Sequence, residues 1–131
     1  MATQNETGTT SLPAAADFSA LAPKGYRFVV KNGAGQAALC GAGARAFGVM
    51  DGDRVKQGQQ TRILKQEGKA QLKLDVGGVI ALNDPIGSDA TGQMVKITAV
   101  GAWVHGHADE AAVAGQVASY SPVAPYQIPA A

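Results

Sequence analysis

Short segments of β-forming residues, separated by turn signals, recur along this chain roughly every eight to twelve residues. The clearest segment is 70–76, in which Leu72, Leu74 and Val76 alternate with polar side chains. The sequence Asn-Gly-Ala-Gly at 32–35 is typical of the tight turns that join such segments. Because no long segment shows the 3.6-residue period of a helix, the pattern predicts an all-β domain, built as a small sandwich or a small barrel.

Local signals also predict how some segments connect. The polar residues 66–69 link the β-like segment 61–65 to 70–76, so these two segments are predicted to be neighbours in a hairpin. Short helical turns are predicted at 14–21, which lies between two prolines, and at 108–114, where acidic residues stand near the start.

The length of 131 residues is that of one domain. Residues 24–121 hold the β-like segments and form the predicted β-domain. Residues 1–23 begin with a polar stretch that has no apolar period, and they are predicted to form an extended N-terminal arm. Residues 122–131 are predicted to be an extended surface tail, because the three prolines among them cannot donate hydrogen bonds to a sheet.

The arm has two interpretations. It is either a frayed terminus or a segment that docks on a partner. In the second case its anchors are the apolar side chains Leu12, Phe18 and Leu21.

Charge is concentrated in one part of the chain. Residues 51–75 hold 10 of the 21 charged side chains. This segment is either a solvated hairpin or a rim that docks on an acidic partner surface. The cations of such a rim are Arg54, Lys56, Arg62 and Lys65.

Composition excludes several classes of protein. Eleven basic residues against ten acidic ones give a net charge of +1, which does not favour a nucleic-acid partner. The apolar run 76–82 has seven residues, and a membrane-spanning helix needs roughly 20. Cys40 is the only cysteine, so the chain can form no internal disulfide.

Residues able to do chemistry are few. His105 and His107 lie two apart, and on a strand both imidazoles would point to one face and could meet one metal. Asp109 or Glu110 could supply a further ligand, but the arrangement matches no full metal motif. No hydrolytic or phosphate-binding motif is present. The sequence therefore predicts no catalytic residue and no cofactor, and leaves the histidine pair as a weak metal candidate.

Residues 46–120 contain three motifs in order. Phe47-Gly48-Val49 is followed by 77–95, which reads GGVIALNDPIGSDATGQMV, and then by 106–117, which reads GHADEAAVAGQV. This order resembles the small capsid decoration, or cement, proteins of tailed bacteriophages. In that family the Ser-Asp-Ala-x-Gly segment forms a β-hairpin, and the Gly-x-Ala-x-x-Ala-Ala-x-x-Gly segment leads into the final strand.

The resemblance implies a non-enzymatic protein of β-tulip-like fold on the outer capsid surface of the virion, made in the bacterial host cytoplasm. It implies a homotrimer that binds the major capsid protein and stabilises the head, with neither nucleic acid nor a membrane as partner. Two alternatives remain open. One is another virion component, such as a head-fibre base or a tail protein, and the other is a small-barrel enzyme that binds a metal through His105 and His107.

Overall fold

The computed structural model of the chain describes residues 9–66 and 69–130. Within these ranges the regular secondary structure consists of ten β-strands. The strands are β1 (Thr9–Pro13), β2 (Phe28–Lys31), β3 (Ala37–Leu39), β4 (Gly48–Met50), β5 (Gln60–Leu64), β6 (Leu72–Asp75), β7 (Pro85–Ser88), β8 (Met94–Lys96), β9 (Trp103–Ala108) and β10 (Val117–Gln127). No helix in the described part of the chain is long and apolar enough to cross a membrane.

The strands form two five-stranded sheets. The first sheet has the order β1-β5-β4-β2-β3, and the second has the order β6-β10-β9-β7-β8. Neighbouring strands are antiparallel in both sheets. The predicted all-β class is confirmed, and of the two predicted architectures the sandwich fits, since the sheets do not close into a barrel.

The core between the two sheets follows from the period of two along each strand. Phe28 and Val49 of the first sheet face the second sheet, where Leu72 and Leu74 lie as the alternation predicted. Apolar burial of this kind is the main driving force for the fold. The buried side chains of this core are Phe28, Cys40, Val49, Leu72, Leu74, Val76, Ile80, Ile86, Met94, Ala108, Ala112, Ala118 and Tyr120.

The first sheet is apolar on its other face as well. Val29, Met50 and Ile63 point away from the second sheet, and they need a cover of their own. The segment that follows β1 supplies it: Phe18 is 2% exposed, and it packs in this second cluster together with the partly buried Leu21.

This cover corrects the prediction that residues 1–23 form an extended arm outside the β-domain. β1 pairs with β5 from Thr9 opposite Leu64 to Pro13 opposite Gln60, and Leu12 is 8% exposed. Residues 9–21 therefore belong to the β-domain, and the rest of the predicted arm before Thr9 lies outside the described residues. The helical turn predicted at 14–21 is absent, because this stretch runs as bends and turns over the sheet.

The predicted tail is also largely part of the sandwich. Residues 122–127 continue β10, which pairs with β9 at Pro122 and again at Tyr126, with a bulge between these positions. β6 pairs with β10 only from Val117 to Tyr120. Beyond Tyr120 one edge of β10 has no neighbouring strand in the described residues. Backbone nitrogens on that edge need not donate to a strand, so prolines are tolerated there.

Two further local predictions are wrong for a common reason. β5 and β6 lie in different sheets, so residues 61–76 do not form a hairpin. The predicted helical turn at 108–114 is instead a loop in which Ala112 forms a bridge with Ile80. In both cases pairing with a segment distant in sequence, and not the local pattern, determines the conformation.

Candidate functional site

The two long motifs of the sequence meet at one end of the second sheet. Ile80 N donates to Ala112 O at 2.9 Å, and Ala112 N donates to Ile80 O at 3.1 Å. Close by, Asn83 N donates to Ala108 O at 2.8 Å, and Ala108 N donates to Asp84 O at 3.0 Å. The loops 77–84 and 109–116 are thereby fixed against each other.

The details of these motifs agree with what the resemblance implied. β7 and β8 form a hairpin, in which Asp89 Oδ1 accepts hydrogen bonds from the backbone nitrogens of Thr91 and Gln93, both at 2.9 Å. The later motif leads directly into β10, the final strand. The predicted hairpin and the predicted approach to the last strand are both confirmed.

This junction carries an exposed group of apolar side chains, which we call the apolar patch: Val79, Leu82 and Val113. Their exposed fractions are 78%, 60% and 49%. The antiparallel bridge between Ile80 and Ala112 buries those two residues and places Val79 opposite Val113 on the outer face. A contiguous group of exposed apolar side chains is a candidate for a protein-binding surface.

A second surface lies at the border between the two sheets. It is a groove of about 810 Å³, which we call the basic groove. Its lining includes three cations, Lys31, Arg45 and Lys65, and no carboxylate from residues 9–66 or 69–130. The lining residues are Val30, Lys31, Arg45, Ala46, Phe47, Lys65, Gln66, Pro122, Val123, Ala124 and Pro125.

The four cations of the predicted rim do not come together. Lys65 lies just beyond the end of β5 and lines the basic groove, whereas Arg54 and Lys56 precede the start of that strand. Arg62 lies between them and faces Asp51, with Nη1 and Oδ2 3.6 Å apart and the arginine side chain 59% exposed. The four cations therefore lie at separate positions before, within and beyond β5, and their docking on an acidic partner stays a prediction.

The three predicted arm anchors, Leu12, Phe18 and Leu21, are also unavailable as a set. All three contribute to the cluster on the outer face of the first sheet. The sequence did not predict the apolar patch or the basic groove. Val79 and Leu82 lay inside the recognised motif, but only the structure shows that both side chains are exposed.

His105 and His107 do not form a metal site. His105 is 1% exposed, and its Nε2 accepts a hydrogen bond from Ala46 N at 2.9 Å. The proton of the neutral ring then sits on Nδ1, so neither nitrogen has a lone pair free for a metal. Among residues 9–66 and 69–130, no group of three or more His, Cys, Asp or Glu side chains could hold a metal ion.

Burial makes His105 a source of acid sensitivity. Its pKa is lowered from 6.5 to about 4, first by desolvation and then by the nearby positive charge of Arg45. The unfolded chain binds a proton at this ring near pH 6.5, and the folded chain does so only near pH 4, so His105 contributes stability that is complete at neutral pH and is lost as the pH falls between these values.

We therefore expect His105 to account for about 2 to 3 kcal/mol of the stability lost between pH 7 and pH 4.5. His105→Gln keeps an acceptor for Ala46 N and removes the titration, so this variant should lose less stability over the same range. Urea unfolding at both pH values measures the difference, with His107→Gln as the matched control. An unchanged pH dependence in His105→Gln would contradict the assignment.

The comparisons with known proteins concern the fold. No family model matches the chain, and no curated protein matches it in sequence. Among solved structures, the chain is similar to the head fiber gp8.5 N base of bacteriophage phi29, with a TM-score of 0.64 and 18% sequence identity. The match covers 88% of this chain and 92% of that one. The chain thus shares its fold, over nearly its whole length, with the base of a phage head fibre.

Proposed function

We propose that this protein is a non-enzymatic structural component of a tailed-phage virion that binds the outer surface of the head. The similarity of fold to a phage head-fibre base is the observation that supports the proposal most. The motifs at 77–95 and 106–117, which resemble those of capsid decoration proteins, support it independently. A small β-sandwich with an exposed apolar patch is suited to a role in which contact with neighbouring proteins is the whole activity.

Within this role the favoured form is a decoration protein that binds the major capsid protein as a homotrimer and stabilises the head. A trimer with threefold symmetry requires a heterologous interface that closes into a ring. The apolar patch is the candidate for that interface or for the contact with the capsid, since Val79, Leu82 and Val113 lie on loops that the backbone hydrogen bonds hold in place.

The second candidate is a head-fibre base, and the solved neighbour favours it specifically. Both candidates predict attachment to the head. They differ in whether a fibre projects from the domain: a fibre base holds a projecting fibre, and a decoration protein does not.

Adding the purified full chain to phage heads that lack it tests the proposal. We expect the protein to pellet with the heads at a fixed ratio and to add density on the outer capsid surface in particle reconstructions. Of the two candidates, only a decoration protein should also raise the temperature at which heads release DNA. Attachment to tails only, or no attachment to particles by a protein that remains monomeric, would refute the proposal.

A further inference from the structure

The basic groove is a built feature whose walls come from both sheets. Val30 and Phe47 belong to the side of the first sheet, and residues 122–125 of β10 form the opposite side. Gln66 joins the two: its Nε2 donates to Val123 O at 3.2 Å, and its Oε1 accepts from Tyr120 Oη–H at 2.8 Å. The volume of about 810 Å³ is within the range of sites that bind ligands.

Two of the groove's cations are held in place by aromatic rings. Lys65 Nζ lies 4.6 Å from the centre of the Phe47 ring, and Arg45 Cζ lies 5.0 Å from the centre of the Trp103 ring. Within the part of the chain that the structure describes, neither of these cations nor Lys31 has a carboxylate within 4.0 Å. Cation–π contacts position a charge without neutralising it, so the groove presents ordered positive charge.

The groove also exposes a strand edge. β9 lies on one side of β10 from Pro122 to Gln127, but β6 accompanies β10 only as far as Tyr120. Pro122 and Pro125 cannot donate hydrogen bonds, so this edge offers few ladder bonds to an added strand. An occupant would depend instead on charge and on apolar contact with Val30, Phe47 and the prolines.

We propose that the basic groove binds an acidic, extended peptide segment of a partner protein. Carboxylates of the segment meet Arg45 and Lys65, while apolar side chains between them pack on Phe47. Three cations set among apolar side chains suit a short acidic peptide better than nucleic acid, which needs a longer basic stripe, and the net charge of the whole chain is only +1. This site is separate from the apolar patch, and the inference holds whether or not the proposed location on the phage head is right.

The experiment measures binding of a labelled ten-residue peptide that alternates Asp or Glu with Val or Leu. The comparison peptide has every acidic residue replaced by its amide. By fluorescence anisotropy with the full chain, we expect the acidic peptide to bind at least tenfold more tightly than the amide peptide, and less tightly as salt is raised. The double variant Arg45→Gln with Lys65→Gln should weaken binding of the acidic peptide at least tenfold.

The matched control is Arg54→Gln with Lys56→Gln, which removes the same charge from positions outside the groove and should leave the affinity unchanged. Amide chemical-shift mapping on the unmodified chain gives a test that does not depend on the folding of variants. When the acidic peptide is added, we expect the changes in chemical shift to cluster at Gln66 and Val123. Equal binding of the two peptides, equal losses in the two double variants, shifts elsewhere, or tighter binding of a single-stranded oligonucleotide or of inorganic phosphate would overturn the proposal.

Discussion

Replacing Asp75 with alanine should lower the free energy of unfolding by about 3 to 5 kcal/mol, because the variant leaves the buried guanidinium of Arg27 without its counter-charge. Arg27 Nε lies 2.8 Å from Asp75 Oδ2, and the two side chains are 6% and 0% exposed. Asp75 also accepts hydrogen bonds from the backbone nitrogens of Lys24, at 3.2 Å, and Gly25, at 2.9 Å. All of these donors would lose their acceptor at once.

The remaining contacts of Arg27 show why the effect should reach beyond one ion pair. Its Nη1 donates to Thr91 O at 2.9 Å, and its Nη2 donates to Ala22 O at 2.7 Å. The guanidinium thus ties the segment before β2 to β6 and to the β7–β8 turn. Breaking one part of a satisfied buried network leaves its other polar groups poorly paired, which costs more than the loss of a single hydrogen bond.

Urea unfolding at neutral pH measures the loss. The matched control is Asp51→Ala, which removes a carboxylate that is 32% exposed and faces the exposed Arg62, and it should cost less than about 1 kcal/mol. A second variant, Arg27→Met with Asp75→Leu, replaces the pair by apolar side chains and should recover much of the loss. Equal effects of the Asp75 and Asp51 variants would contradict the network's role.

This network also shows how much of the structure could be predicted from the sequence. The alternation at 70–76 correctly predicted that Leu72 and Leu74 face the core, and it placed Asp75 on the polar face. Asp75 is nevertheless buried, since Arg27, 48 positions earlier in the chain, reaches it from the other sheet. A period of two describes one strand and carries no information about what covers its second face.

The same limit explains the N-terminal segment and the binding surfaces. β1 has no strong alternation, and its assignment depends on pairing with β5, some fifty residues away. The basic groove combines side chains from distant segments, so no local pattern could bring Phe47, Lys65 and Pro122 together. The hairpin of one motif and the approach of the other to the last strand were predictable, because each motif contains its own turn residues, whereas the contact between the two motifs was not.

Placing positive charge on the apolar patch should abolish the contact that the proposed function assigns to it. In the double variant Val79→Lys with Leu82→Lys, both substituted positions are more than half exposed, so the fold should lose less than about 1 kcal/mol. In an interface, each unpaired lysine would be desolvated, and together they should weaken association at least about 100-fold, which corresponds to roughly 2.7 kcal/mol.

Sedimentation of the free protein and pelleting with phage heads measure the two contacts that the patch could make. The matched control is Val100→Lys, at a valine that is 65% exposed and lies outside the patch. We expect Val100→Lys to assemble and pellet like the unmodified chain, and the double variant to lose either self-association or attachment to heads while its free energy of unfolding in urea falls by less than about 1 kcal/mol. If the double variant keeps both contacts, or if Val100→Lys loses them equally, the patch is not the interface.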